Sequence, residues 1–166
     1  MDGRLRNMTS IYIIYEDQIL LLYRQGGRVA DQMWVASAGG HFEESELHDA
    51  GACAMRELEE ELGITGDVFH NIELRYITLR RIKGEIRQNY YFFAELQRPL
   101  DFELVSNEGI LQWFDISKIR TLKMPYTAKY VIEHYLDIGA FCHKLYGGIA
   151  DGERVLFVEM PEYRSS

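Results

Sequence analysis

The order of hydrophobic and polar residues differs between segments of this chain: some segments have the pattern of β-strands, and others have the spacing of an α-helix. β-Branched and aromatic residues are concentrated in two runs, 9–15 and 19–23, and this pattern predicts a hairpin with both strands largely buried. Two longer runs of the same kind, 72–82 and 85–96, are joined by a Lys-Gly pair that is typical of a tight hairpin turn. Between these two hairpins the apolar residues change to helical spacing. The pattern therefore predicts a protein that combines strands and helices.

The helical segment is predicted to begin after Asp49 and to end before Gly63. Asp49 is a favourable N-cap because its carboxylate can accept hydrogen bonds from the first free N–H groups of a helix. Gly63 suits the left-handed conformation that commonly follows a helix. One side of the helix is apolar and has to be buried; it is formed by Gly51, Ala54, Met55, Leu58 and Leu62.

A neighbouring side of the same helix carries three carboxylates. Glu57, Glu60 and Glu61 are spaced i, i+3 and i+4, so their side chains are expected to converge. Each like-charged pair costs about 0.2–0.5 kcal/mol, and the C-terminal half of a helix already disfavours anions. The cluster is therefore unfavourable unless something positive binds there. A run of Glu on an ordinary solvated helix face is the alternative.

The loop and the helix together resemble a known family signature. Gly40 and Glu46 lie in the loop, and residues 56–64 read Arg-Glu-Leu-Glu-Glu-Glu-Leu-Gly-Ile. This resembles the signature G-x5-E-x7-R-E-U-x-E-E-x-G-U of the Nudix hydrolases, where U is a bulky aliphatic residue. Nine residues rather than seven separate Glu46 from the arginine, which indicates a two-residue extension of the loop. Because of this extension, Glu43 or Glu44 could take the place of Glu46.

The resemblance implies a fold and a domain organisation. The expected fold is an α/β/α sandwich around a mixed β-sheet, formed as a single domain over residues 1–166 with the Nudix box at 40–64. The spacing of apolar residues predicts a second helix over 126–138 and an additional C-terminal hairpin at about 144–160. This hairpin could cover the site, add to the sheet or mediate dimerisation.

The resemblance also implies a set of catalytic and metal-binding residues. The residues implied to form the catalytic group are Arg56, Glu57, Glu60, Glu61 and Glu108. The metal ligands are implied to be the carbonyl of Gly40 and the carboxylates of Glu57, Glu60, Glu61 and Glu108. Either Glu57 or Glu108 would act as the base.

Several arginines have expected supporting roles. The resemblance implies that Arg24 and Arg28 bind substrate phosphates, with solvated positions after the second strand as the alternative. Arg56 is expected to clamp Glu46 and to fix the loop against the helix. The remaining arginines of the second hairpin are predicted to be solvated; they are Arg75, Arg80, Arg81 and Arg87.

Oxygen ligands favour a hard cation, and Mg²⁺, with Mn²⁺ as a substitute, is the expected cofactor. The reaction implied by the resemblance is attack of water on the pyrophosphate bond of a nucleoside diphosphate linked to a group X. A nucleoside triphosphate, including an oxidised one, cut to monophosphate and pyrophosphate is the preferred substrate. The alternatives are ADP-ribose, NADH, a dinucleoside polyphosphate or a sugar nucleotide. A Nudix module that senses a nucleotide without turnover is the competing class.

Composition and charge narrow the expected partners. The chain has 166 residues, of which 47% are hydrophobic and 27% charged, as in ordinary globular domains. A formal net charge of −8 argues against a nucleic-acid polymer as partner. No apolar run is long enough to cross a membrane, and Cys53 and Cys142 form neither a disulfide framework nor a zinc-binding spacing. We therefore expect a cytoplasmic protein, monomeric or homodimeric, that binds a nucleotide.

Overall fold

The computed structural model describes residues 2–27 and 30–165. The strands in this part of the chain are β1 (Arg4–Tyr15), β2 (Gln18–Arg24), β3 (Met33–Val35), β4 (Phe69–Ile82), β5 (Glu85–Leu96), β6 (Gly109–Asp115), β7 (Tyr146–Ala150) and β8 (Val155–Glu159). The helices are α1 (Ala50–Leu62) and α2 (Tyr126–Asp137), with short 3-10 turns at Glu44–Glu46, Gly66–Val68, Ile116–Thr121 and Gly139–Phe141. Within these residues neither helix is long and apolar enough to cross a membrane.

The strands form one mixed sheet. Its order is β3-β2-β1-β5-β4-β7-β8, and β6 pairs with β2 outside this path. β1 runs parallel to β5 and β4 runs parallel to β7, whereas every other pair is antiparallel. The predicted mixed β-sheet is therefore confirmed.

One helix covers each face of this sheet. Successive residues of β1 show the division, since Ile11 and Ile13 belong to the core beneath α1 whereas Tyr12 and Ile14 belong to the core beneath α2. The apolar side of α1 is buried, with Leu58 fully inaccessible to solvent. The alternation follows from the two-residue period of a strand. The result is the α/β/α sandwich that the family resemblance implied.

The local signals for α1 are present in the structure, whereas the predicted start of β1 was wrong. The Asp49 carboxylate accepts the Ala52 N–H at 3.0 Å, and Gly63 ends the helix with a φ of 65°. β1 begins at Arg4 rather than near residue 9, because its polar first part pairs in parallel with β5 from Glu85 onwards. This pairing depends on a distant strand, so the local sequence pattern did not reveal it.

The C-terminal hairpin adds to the sheet. β7 pairs in parallel with β4, and β8 pairs with β7 as the last strand of the sheet. The segment before β7 covers Arg75, whose guanidinium donates to the Gly139 carbonyl at 2.6 Å and to the Lys144 carbonyl at 3.0 Å. Arg75 is only 4% exposed, so the prediction that it is solvated was wrong. Buried carbonyl acceptors replace the water that this charge would otherwise bind.

Candidate active site

Two glycines allow the loop to approach both β1 and α1. A Cβ atom at Gly39 would collide with the carbonyl oxygen of Thr9, and a Cβ atom at Gly40 would collide with the Glu57 carboxylate. The N–H of Thr9 donates to the Gly40 carbonyl at 2.8 Å. These close contacts require glycine because it has no side chain.

The extended loop folds into a 3-10 turn that directs Glu46 inward. The N–H of Glu43 donates to the Glu46 carboxylate at 2.9 Å, and the N–H of Glu46 donates to the Glu43 carbonyl at 3.0 Å. The Glu46 side chain is 7% exposed, whereas that of Glu43 is 60% exposed. The two additional residues are therefore accommodated before α1 begins. Glu46 is buried against the arginine of the helix, whereas the exposed Glu43 carboxylate lies 3.8 Å from the same guanidinium.

Arg56 links the loop to the helix carboxylates. Its guanidinium donates to both oxygens of Glu46, at 2.5 and 3.0 Å, and to the His41 carbonyl at 3.0 Å. The same group donates to Glu57 and to Glu60, each at 2.9 Å. Hydrogen bonds from the Arg56 guanidinium lower the pKa of Glu46 to about 2. This arginine therefore connects every acidic residue that the loop and the middle of α1 direct towards it.

Glu57 and Glu61 are the helix carboxylates that lie closest to the core. Glu57 is 8% exposed, and its burial raises the pKa of its carboxyl above the ordinary value. Glu61 accepts the Gly39 N–H at 3.2 Å. Burial, reinforced by the nearby Glu108 carboxylate, raises the pKa of Glu61 to about 7. The surroundings of both groups therefore disfavour the ionised carboxylate.

The oxygen-only donor set of this site fits a hard divalent cation. The raised pKa values of Glu57 and Glu61 agree with this, since a bound cation would stabilise both ionised forms. Glu60 lies on the solvent side of the same helix and is held by Arg56. Over residues 2–27 and 30–165, no group of three or more His, Cys, Asp or Glu side chains is already gathered into a metal-binding arrangement.

Arg24 and Glu108 form an ion pair beside these carboxylates. The guanidinium of Arg24 donates to the Glu108 carboxylate at 3.1 Å, and the two side chains are 34% and 42% exposed. Arg24 ends β2 and lies opposite Gly109, the first residue of β6, so the pairing of these strands places Glu108 next to it. The other predicted phosphate-binding residue, Arg28, lies outside the described residues.

A cavity of about 640 Å³ collects most of the predicted residues. Its lining includes Arg24, Gly40, Arg56, Glu57, Glu61 and Glu108. Glu46 and Glu60 do not line it: the first lies beneath the loop, and the second lies on the outer side of α1. The structure thus brings together residues from β2, the glycine loop, α1 and the turn before β6.

Two further arginines line the same cavity: Arg6, which no sequence pattern singled out, and Arg87, which was predicted to be a solvated strand residue. Arg6 of β1 and Arg87 of β5 are paired in register on the parallel strands. The Arg6 side chain donates to the His41 ring at 2.7 Å, and Arg87 donates to Glu85 at 2.8 Å. The positive charge on this edge of the cavity was recognisable only after the β1–β5 register was known.

A second cavity of about 210 Å³ adjoins the first and shares Met8, Arg24, Gly39, Glu61, Arg87 and Glu108 with it. It extends between the sheet and the start of α2. Ser10 and Asn89 hydrogen bond to each other in its wall, and the Arg80 guanidinium lies 4.7 Å from the ring centre of Tyr126. The two cavities together offer a charged compartment connected to a less polar one.

Comparison with known proteins identifies this architecture. The NUDIX domain profile matches residues 4–135. A MutT protein from Bacillus halodurans superimposes with a TM-score of 0.67 at 25% identity, covering 95% of this chain and 99% of that one. No curated protein matches the sequence.

Two further solved structures show the same fold at lower identity. The dihydroneopterin triphosphate pyrophosphohydrolase of E. coli has a TM-score of 0.61 at 19% identity, with coverage of 81% of this chain and 98% of that one. The NUDIX domain of Shewanella oneidensis NrtR, solved with ADP ribose, has a TM-score of 0.63 at 14% identity, with coverage of 82% and 89%. With the NUDIX domain profile spanning most of its length, this chain belongs to the Nudix hydrolase family and is a MutT-like pyrophosphohydrolase.

Proposed function

We propose that this protein hydrolyses a nucleoside triphosphate to a nucleoside monophosphate and pyrophosphate in a Mg²⁺-dependent reaction. The observation that carries the proposal is the 640 Å³ cavity, which is lined by carboxylates and arginines together. The carboxylates are Glu43, Glu57, Glu61 and Glu108, and the arginines are Arg6, Arg24, Arg56 and Arg87. Carboxylates alone would repel a polyphosphate, whereas carboxylates that bind a divalent cation and arginines that bind phosphate oxygens are complementary to it.

The proposed metal ligands are oxygen atoms of residues from three segments. The carboxylates of Glu57, Glu60, Glu61 and Glu108 would hold Mg²⁺, or Mn²⁺ in its place, with the carbonyl oxygen of Gly40. That carbonyl accepts one hydrogen bond, from Thr9, and keeps a second lone pair. When bound, the metal supplies positive charge at the phosphoryl oxygens and lowers the pKa of a coordinated water.

The side chains around the metal would position the reacting groups. Arg56 orients Glu57 and Glu60 through its two 2.9 Å hydrogen bonds, and Glu46 fixes Arg56 in turn. Arg24 would exchange its exposed contact with Glu108 for a substrate phosphate. Either Glu57 or Glu108 would then accept the proton of the attacking water.

The second cavity supports a nucleoside as the group beyond the phosphates. Its 210 Å³ volume adjoins the charged cavity, so a substrate can occupy both. Ser10 and Asn89 offer hydroxyl and amide groups that can exchange their mutual hydrogen bonds for contacts with a base or sugar. A nucleoside triphosphate would place its phosphates in the charged cavity and its nucleoside in the second cavity.

The proposed function has two alternatives: hydrolysis of a different substrate, and binding of a nucleotide without turnover. ADP-ribose, NADH, a dinucleoside polyphosphate or a sugar nucleotide would use the same chemistry with a larger group X. The NrtR domain of the same fold was solved with ADP ribose, so ADP-ribose belongs among the compounds to be tested. Binding without turnover is the second alternative. The presence of Arg56 and all three helix carboxylates supports turnover, because a sensor does not require a cluster of metal ligands.

A substrate panel with Mg²⁺ tests the proposal. The compounds are nucleoside triphosphates, 8-oxo-dGTP, ADP-ribose, NADH, a dinucleoside polyphosphate and sugar nucleotides, with products identified by phosphorus NMR. We expect monophosphate and pyrophosphate from a triphosphate, and no reaction after chelation of the metal. Cleavage of ADP-ribose or NADH instead would keep the mechanism but contradict the substrate. Nucleotide binding with no turnover of any compound would contradict the proposed activity.

A further inference from the structure

β8 is an open edge of the sheet with an unusual surface. Within residues 2–27 and 30–165, β7 is the only strand that pairs with it. Leu156 and Val158 are 47% and 69% exposed, and Ile149 beside them on β7 is 60% exposed. Natural edge strands are usually protected by lysine, proline or a bulge, since free backbone groups invite another strand. β8 contains neither lysine nor proline, and its pairing with β7 is regular.

The register with β7 determines which backbone groups of β8 remain available. The N–H of Met160 donates to Leu145 at 2.8 Å, and the N–H of Asp151 donates to Arg154 at 3.0 Å. Hydrogen-bonded and non-hydrogen-bonded pairs alternate along an antiparallel ladder. It follows that Leu156 and Val158 direct their N–H and C=O groups towards β7. The outward groups belong to Val155, Phe157 and Glu159.

These outward groups are complementary to those of an identical strand. In an antiparallel pair with a twofold axis at Phe157, Phe157 meets its own copy and Val155 meets Glu159. Each of these is a residue with outward backbone groups, so each pair can exchange both of its hydrogen bonds. No one-residue shift of the register achieves this, because it would place inward groups opposite outward ones.

The side chains agree with the same register. Leu156 of one copy would face Val158 of the second, so the exposed apolar residues cover each other twice. Glu159 is the only charged residue of the strand, and Lys144 neutralises it at 2.9 Å. Glu159 would face Val155 rather than another acid. The pairing therefore avoids like-charge repulsion although the whole chain has a formal net charge of −8.

We propose that this protein forms a homodimer in which β8 pairs with β8 of a second copy in antiparallel orientation about Phe157. The two sheets become one continuous sheet across the twofold axis. None of the residues of β7 or β8 lines either cavity, so both active sites stay open in the dimer. The proposal concerns assembly and does not depend on the substrate.

Two double variants with equal numbers of new charges test the register. The first combines Leu156→Glu with Val158→Glu, so an introduced acid faces an introduced acid twice across the interface. The second combines Leu156→Lys with Val158→Glu, so an introduced lysine faces an introduced acid twice. We expect the unaltered protein and the Lys/Glu variant to have twice the 19.4 kDa chain mass, and the Glu/Glu variant to have the chain mass alone.

Light scattering after size-exclusion chromatography, over a hundredfold range of protein concentration, measures these masses. Circular dichroism and turnover of each variant show whether the fold is kept. Neither is expected to change, because the two substituted side chains, Leu156 and Val158, are exposed. An unaltered protein that is monomeric at every concentration overturns the proposal. Equal masses for the two double variants overturn the register. If the Glu/Glu variant fails to fold, the Lys/Glu variant still tests the pairing, because a monomeric and folded Lys/Glu variant contradicts it.

Discussion

Two arginine–glutamate pairs serve the candidate site from opposite environments. Glu46 is almost fully buried and accepts two hydrogen bonds from Arg56, whereas Arg24 and Glu108 share one contact of 3.1 Å in a region that is 34% to 42% exposed. A buried pair cannot lose one partner without leaving an uncompensated charge. An exposed pair loses little, since water replaces the partner. The buried pair therefore holds the loop, and the exposed pair is free to exchange its partner for a ligand.

The largest expected effect is on the free energy of unfolding, which should fall much more when the buried pair is broken than when the exposed pair is broken. Arg56→Leu should lower the free energy of unfolding by about 3–5 kcal/mol, because it leaves Glu46 and Glu57 without their counter-ion. Arg24→Leu should lower it by less than about 1 kcal/mol. Urea denaturation of both variants measures this difference. Equal destabilisation by the two substitutions would show that the environments do not distinguish the pairs.

The next largest effect is on the rate of hydrolysis and concerns Glu60, the exposed glutamate that Arg56 contacts. Glu60→Gln should reduce turnover by roughly 10²–10³-fold while the fold survives, since a proposed metal ligand is lost from a solvated position. Glu59→Gln is the matched control, because Glu59 is exposed on the same helix but is not a proposed ligand. Hydrolysis rates and urea denaturation of both variants are compared under identical metal concentrations. An unchanged rate for Glu60→Gln would remove the metal site from this side of α1.

The buried pair of Arg56 and Glu46 also predicts that the free energy of unfolding depends on pH in the acidic range. The pKa of Glu46 is lowered from 4.5 to about 2, so its ionised form contributes stability above pH 4.5 that is lost as the pH falls towards 2. Glu46→Gln should therefore lower the free energy of unfolding by about 1.5–3 kcal/mol at neutral pH. The difference from the unaltered protein should shrink steadily between pH 4.5 and 2. A difference that is constant over this interval in urea titrations would contradict the ionised clamp.

The smallest effect tests the exposed pair as a phosphate contact. Arg24→Gln should raise KM about tenfold with little change in kcat, because it removes an interaction made equally in the bound substrate and in the transition state. Arg81→Gln is the control, since Arg81 is an exposed arginine of β4 that lines neither cavity. Steady-state kinetics on the substrate identified by the panel give both constants. A fall in kcat with unchanged KM would assign Arg24 to the transition state instead.

Much of the site was predictable because it depends on near neighbours in the chain. The N-cap at Asp49, the left-handed Gly63 and the two sides of α1 all follow from spacing within one helix. The contact between Arg56 and Glu46 was also expected. Because the loop is two residues longer than the family pattern, however, Glu43 or Glu44 could have taken the place of Glu46. The 3-10 turn decided it by burying Glu46 and leaving Glu43 exposed.

The remaining parts depend on strands that meet from distant positions in the chain. Arg6 and Arg87 reach one cavity only because β1 and β5 pair in that register, and Arg75 is buried only because the segment before β7 crosses it. The sequence by itself determined the local geometry of the carboxylate helix, since capping and periodicity act within a few turns, and the sandwich class followed from the resemblance of its motif to a known family. Tertiary structure alone decided the lining of the cavities and the open edge at β8. Strand pairing and burial are properties of residues far apart in the chain, and no local pattern records which of them will meet.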